Sequence, residues 1–356
     1  MSATLAQMLA AGCPDRFQQL AAMVTDWPAM VDAAAREGVL GILESEMARS
    51  VFALPADARR LMERLRASET LWQRHVARAL DGALGALEAD GVRAAVLKGP
   101  ALAERLYPEP GLRWSTDIDI LVAEADTDRA VAALEPLGYA VEDRLAAGYA
   151  RRHHHHLHLY GRRPPVIELH FRAYVGFGVV IHAEDLLERA RPHRTAGGGR
   201  CLVLAPEDEA LYLAVHVAGH CCDRLVWLYD LKLLVEREPA LDWELLAARA
   251  RAAGVMTAFA LVADVLAQRL GLAIPPVARA GAPGRIRRRI IAGLVDGRRA
   301  PPPPGPWSTL RQLVVMAALC DRLSAGARFV RHHVVRLARR RARRWLPALV
   351  PAEWAA

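Results

Sequence analysis

The chain has 356 residues, 53% hydrophobic and 24% charged, with a formal net charge of +8. No apolar run approaches the roughly 18–20 residues of a membrane span. The opening stretch MSATLAQMLAAGCPDRFQQL lacks a basic segment followed by an apolar one, so no signal peptide and a cytoplasmic location are expected. The charge is uneven: from Gly281 onward 16 Arg and no Lys face three acids, a net of +13, which leaves −5 for the preceding 280 residues. The basicity belongs to the tail and is not a whole-surface signature for nucleic acid.

Residues 4–90 read as helices, with apolar residues three and four apart in MVDAAAREGVLGILESEMA and in the long run from Ala56 to Gly91. VRAAVLKG (92–99) then reads as a short strand stopped by glycine, and PALAERLY (100–107) as a helix with proline in its first turn. YPEPGLRWS is a loop, DIDILV (117–122) a strand, TDRAVAALEPLG (127–138) a helix and YAVED (139–143) the start of another strand. ARRHHHHLHLYGRRPPVIELHFRAY (150–174) reads as a hairpin turning at GRRPP. From Pro206 the pattern returns to helix. RAPPPPGP (299–306) is a stiff linker, and 307–346 is an Arg-rich amphipathic tail suited to an anionic surface or to solvated packing on the acidic body. The expected divisions are 1–90 helical, 91–205 an α/β core, 206–298 helical, and 299–356 linker and tail. The fold class is α+β, a small mixed sheet flanked by helical regions.

Five cysteines at irregular spacing (Cys13, Cys201, Cys221, Cys222, Cys320) suit reduced thiols. The adjacent pair Cys221-Cys222 is expected to act as small buried hydrophobes rather than as metal ligands.

Asp117 and Asp119 alternate with Ile118 and Ile120, so a strand points both carboxylates one way and both isoleucines the other. Like charges about 7 Å apart repel, and burial sharpens that. A divalent cation between them removes the conflict; so does an edge strand whose polar face meets water. VIELHF repeats the alternation, placing Val166, Glu168 and His170 on one face. Glu142 and Asp143 in YAVED compete with Glu168 for the place of third carboxylate. If Tyr160 faces Val166 across the turn, His158 faces Glu168 and His156 faces His170. A Zn²⁺ site there competes with histidines that cover a wet face. His216 and His220 stand four apart on a helix, without the glutamate of a zinc-protease motif, and are expected to line a cleft between the α/β and helical parts. Asp230 is a partner for Arg224 or a site residue.

LKG (97–99), Tyr107, RWSTDIDILV (113–122), VIELH (166–170) and HVAGHCCDRLVWLYDL (216–231), in this order, resemble the bacterial family of uncharacterised nucleotidyltransferases, within the polymerase-beta-type superfamily. The resemblance covers roughly residues 90–235. It implies a metal-dependent enzyme that moves a nucleotidyl group from ATP or another nucleoside triphosphate. It also implies that Asp117, Asp119 and Glu168 hold Mg²⁺ or Mn²⁺, with Glu168 able to take the acceptor's proton. Lys98, Gly99, Arg113 and Ser115 would contact the phosphates, and His156, His158, His170, His216 and His220 the acceptor. Where many superfamily members carry Gly-Ser, this chain has Gly99-Pro100, and Lys98 takes part of the serine's role. The acceptor is a sugar, a peptide or a small molecule, by likeness to accessories of polysaccharide and lasso-peptide-like biosynthesis. The alternatives are a non-catalytic metal- or nucleotide-binding accessory protein and a glycosyl-phosphate transferase acting on a modified peptide.

Overall fold

The computed structural model describes residues 2–141, 144–281, 283–295, 306–322 and 324–331. Most of the proline run and the Arg-rich stretch after 331 lie outside the described residues, and so does the surface-binding role expected of them.

Five helices lead the chain: α1 (Ser2–Leu9), α2 (Pro14–Ala21), α3 (Trp27–Arg36), α4 (Leu40–Arg49) and α5 (Ala56–Ala89). The periodicity of 30–48 suggests one helix, but the chain breaks between α3 and α4. Gly38 adopts φ +73°, and a Cβ there would meet Val226 Cγ1 at 3.1 Å. Both the backbone and the neighbour therefore demand glycine. The 34-residue α5 matches its expected span. Its buried stripe of Val76, Leu80, Ala83, Leu84 and Leu87 follows helical spacing and packs on Ile118, Ile120, Ile167 and Leu169 of the sheet. Each buried leucine contributes about 1.5–3 kcal/mol, so this contact fixes which sheet face is dry.

The strands and helices that follow are β1 (Ala94–Val96), α6 (Pro100–Leu106), β2 (Asp117–Val122), α7 (Thr127–Leu134), β3 (Ala140–Val141), α8 (Arg144–His153), β4 (His156–Tyr160) and β5 (Val166–His170). Next come β6 (Arg172–Gly176), β7 (Val179–His182), α9 (Ala183–Arg189), β8 (Arg191–Arg194) and β9 (Arg200–Val203). Seven strands form one mixed sheet in the order β3-β4-β5-β2-β1-β9-β8, and β6-β7 form a separate ribbon. β2 pairs antiparallel with β1 and parallel with β5. The hairpin expected over 150–174 is shorter than its sequence suggests: α8 runs to His153, and the strand ends at His170. His155 O accepts the N–H groups of Phe171 and Arg172 at 3.0 and 3.2 Å, and buried Phe171 turns the chain into the ribbon.

Four helices cover the other side: α10 (Pro206–Gly219), α11 (Leu225–Arg237), α12 (Trp243–Ala252) and α13 (Met256–Leu270). α14 (Arg285–Val295) and α15 (Pro306–Ala318) follow. The N-terminal helices and α10–α13 share one continuous core, in which Leu5, Leu43, Leu228 and Leu266 are all buried. Cys221 and Cys222 are buried at the α10–α11 turn, as expected of small hydrophobes.

Candidate active site

The polar face of the sheet looks toward α10 and α11. In the β2–β5 register Asp119 is paired with Glu168 and Asp117 with Val166. In the β4–β5 register His158 is paired with Glu168 and His156 with His170, the pairing expected from the turn. The alternation of two short strands thus gathers Asp117, Asp119, Glu168 and His170, with His156 and His158 beside them. Ligand atoms of Asp119, Glu168 and His170 lie within 4.8 Å of one another. Glu168 lies beside the aspartates; its competitors Glu142 and Asp143 lie outside the described residues.

Lys98, at the end of β1, places Nζ 2.9 Å from Asp119 Oδ2 and 3.4 Å from Asp117 Oδ2. Burial opposes its charge, but Asp119 and Asp117 more than offset this and hold the ammonium above its ordinary value. Asp119 is fully buried, and burial pushes its carboxyl up against the pull of Lys98. Glu168 behaves oppositely: burial pushes it up, yet hydrogen bonds from His158 and His170 hold it well below the carboxylate range. His170 Nε2 lies 3.3 Å from Asp119 Oδ1 and 3.7 Å from Glu168 Oε2. Asp119 Oδ2 has a charged neighbour in Lys98 but no aligned hydrogen bond. A buried carboxylate oxygen without a hydrogen bond, among further carboxylates, is a donor set that fits a hard divalent cation.

Gly99 sits at φ 76°, ψ −138°, a conformation reserved for glycine, and starts α6 with Pro100 in its first turn. A Cβ on Gly99 would lie 3.6 Å from Ser115 Oγ and 3.7 Å from Asp117 O, so the turn packs closely on the loop before β2. That loop is pinned from both sides. Trp72 Nε1 of α5 donates to Ser115 O at 2.7 Å. Arg113, 3% exposed, donates to Ser115 Oγ and grips Asp230 of α11 through Nε (2.8 Å) and Nη2 (2.7 Å). Tyr107 Oη donates to the same Asp230 at 2.7 Å. This corrects one expectation: Asp230 pairs with Arg113 and Tyr107 rather than Arg224. The Arg113 guanidinium, read as a phosphate contact, is gripped bidentately by this buried carboxylate, and Arg113 also lines the cleft beside the aspartates.

A cleft opens beside the carboxylates, lined by Lys98, Gly99, Ser115 and Asp117 on one side and by Arg224 and Trp227 on the other. Trp114 and Thr116 complete its rim. Sequence reasoning missed Trp114, Arg224 and Trp227. The aromatic inside the family-like WLYD stretch was the available signal. Arg224 stacks on Trp227, with its guanidinium carbon 5.7 Å from the ring centroid. His216 on α10 and His220, the residue that caps that helix, pack behind Trp227 and are not among the residues that line the cleft. Their rings are 4.7 Å apart and pack on Trp227 at 5.0 and 4.8 Å.

His155 and His216 are held neutral. Burial, then His170, lowers His155 from 6.5 to about 2, and burial, then Lys98, lowers His216 well below 6.5. As pH falls through 6.5 the unfolded chain takes protons that the folded chain refuses. Stability should therefore be full above that value and fall by about 1.4 kcal/mol per pH unit for each such histidine below it. Raised carboxylates such as Glu209 act the other way, so slopes must be compared between proteins. Urea midpoints between about pH 7 and about pH 5 should fall less steeply in His155→Phe and in His216→Phe than in the parent. Identical slopes would show that neither group is held neutral.

The seven-stranded mixed sheet thus gathers carboxylates at the edge of a polar cleft. The chain belongs to the family of uncharacterised nucleotidyltransferases, whose profile matches residues 24–271. A comparison with curated proteins finds no match. No helix among the described residues is long and apolar enough to cross a membrane.

Proposed function

We propose that the protein is a polymerase-beta-type nucleotidyltransferase that moves a nucleotidyl group from ATP or another nucleoside triphosphate to an oxygen of a sugar, peptide or small-molecule acceptor. The observation that carries this reading is the parallel register of β2 and β5, which sets Asp119 against Glu168 with Asp117 on the same strand face. Asp117, Asp119 and Glu168 would hold Mg²⁺ or Mn²⁺. When bound, the ion supplies charge neutralisation at the α-phosphate and the leaving pyrophosphate. Lys98, 2.9 and 3.4 Å from the two carboxylates, lowers the repulsion between them before substrate arrives. Trp227 offers a stacking face for a base, and Arg224 a cation for phosphate oxygens. Glu168 accepts the acceptor's proton as the new O–Pα bond forms and the Pα–O bond to pyrophosphate breaks. Gly99 and Ser115 shape the turn that the triphosphate approaches. His216 and His220 border the acceptor side.

Nucleoside triphosphate with Mg²⁺ should raise the melting temperature, with about 2.7 kcal/mol of stabilisation at a hundredfold excess over Kd. Label from the α-phosphate should then appear on the acceptor and label from the γ-phosphate should not. Transfer of the γ-label would replace this reading with a kinase. No thermal shift with any nucleotide would favour a non-catalytic accessory role.

A further inference from the structure

The carboxylate centre leaves part of the histidine run unexplained. His156 Nε2 and His158 Nε2 are 3.3 Å apart, and His158 Nε2 is 3.4 Å from Glu168 Oε1. The proton inventory of these three atoms is short. A carboxylate such as Glu168 brings lone pairs to these contacts. A neutral imidazole brings one N–H, on one of its two nitrogens. A proton on His158 Nε2 can serve Glu168 or His156, but not both well. His156 Nδ1 is buried without a hydrogen-bond partner, so neither tautomer of His156 is satisfied at both nitrogens. Donor atoms of two imidazoles and a carboxylate crowded to 3.3 and 3.4 Å are the arrangement a bound cation accounts for.

The spacing selects the kind of cation. An ion bound tetrahedrally at about 2.0–2.1 Å holds neighbouring donors about 3.3 Å apart. The two observed contacts, 3.3 and 3.4 Å, are two edges of such a tetrahedron. Ligand atoms of all three residues lie within 4.8 Å, so a small rotation of the Glu168 carboxylate closes the third edge. Two imidazoles and one carboxylate suit Zn²⁺ and its neighbours, whereas Mg²⁺ prefers an all-oxygen set.

We propose that His156, His158 and Glu168 form a three-ligand site for a borderline divalent ion such as Zn²⁺, next to the Asp117–Asp119 centre. Glu168 belongs to both groups, with Oε1 toward His158 and Oε2 toward His170. His158 is on the exposed side. The fourth position therefore opens outward, as in catalytic rather than structural zinc sites, and takes water or an oxygen of the acceptor. His170 is not needed as a ligand: it is buried behind Glu168 and serves Asp119.

Because Glu168 is shared with the nucleotidyl-transfer reading, the test uses the histidines. The full chain is stripped with a chelator and titrated with Co²⁺, then with Zn²⁺. One Co²⁺ per chain should give the intense visible absorption of a four-coordinate ion, and Zn²⁺ should bleach it. His156→Ala and His158→Ala should each lose the band and weaken Zn²⁺ binding by about tenfold or more. Asp117→Asn should keep both while losing the Mg²⁺–nucleotide thermal shift. A His153→Ala/His154→Ala double variant controls for loose binding to the rest of the run and should also keep both. Faint octahedral absorption only, or a full band in His158→Ala, would overturn the site. So would loss of the band in Asp117→Asn, which would assign the cobalt to the carboxylate centre. If an alanine variant fails to fold, His158→Gln, with a similar reach but no imidazole, carries the same expectation.

Discussion

Asp119→Asn should reduce nucleotidyl transfer by about a thousandfold or more, the scale of losing several kcal/mol of charge stabilisation at the reacting phosphates. Asp119 is fully buried between Lys98, His170 and Glu168, so no water replaces its oxygen as a ligand. The substitution keeps shape and removes one negative charge. Lys98 retains Asp117 at 3.4 Å, so the ammonium is not left unpaired and the fold should persist. Asp117→Asn should have a comparable effect on turnover. It should cost less stability, because Asp117 is only partly buried. Turnover within tenfold of the parent at saturating Mg²⁺, in either variant, would remove the aspartates from the reaction.

The largest stability loss should come from Asp230→Ala. It strips a buried guanidinium of both carboxylate oxygens and leaves the Tyr107 hydroxyl without its acceptor. Breaking one side of a buried ion pair costs about 3–5 kcal/mol, most of it the penalty of the stranded charge. Urea midpoints measure this directly. Arg113→Met should cost a similar amount, and the double variant Arg113→Met/Asp230→Leu should recover part of the loss, since no charge is then stranded. The consequence for function is positional. Arg113 ties α11, which bears Trp227, to the loop that leads into Asp117. A mild destabilised variant should therefore weaken nucleotide binding before it unfolds. A loss below about 1 kcal/mol in Asp230→Ala would mean that water reaches the pair and that it does not hold the cleft.

Much of this was legible in the chain. The alternation in DIDILV and VIELH put the carboxylates on polar faces because a strand has a period of two whatever surrounds it. The pairing of His156 with His170 and of His158 with Glu168 followed only on the condition that Tyr160 faces Val166 across the GRRPP turn, and the structure supplies that register. Long-range partners were not legible. Whether Arg113 meets a phosphate or Asp230 is decided by a contact across 117 residues, and no local pattern encodes it. The break at Gly38 follows from Val226 as much as from the glycine itself. The β6–β7 ribbon and the β8–β9 edge escaped detection because their strands are short and take their order from what they pack on. Sequence by itself therefore determined the long helices, the strands carrying Asp117, Asp119 and Glu168, and the faces those carboxylates occupy, all of which depend on backbone periodicity. Only the tertiary structure decided which charges neutralise one another and which face the cleft, because burial and pairing are properties of segments far apart in the chain.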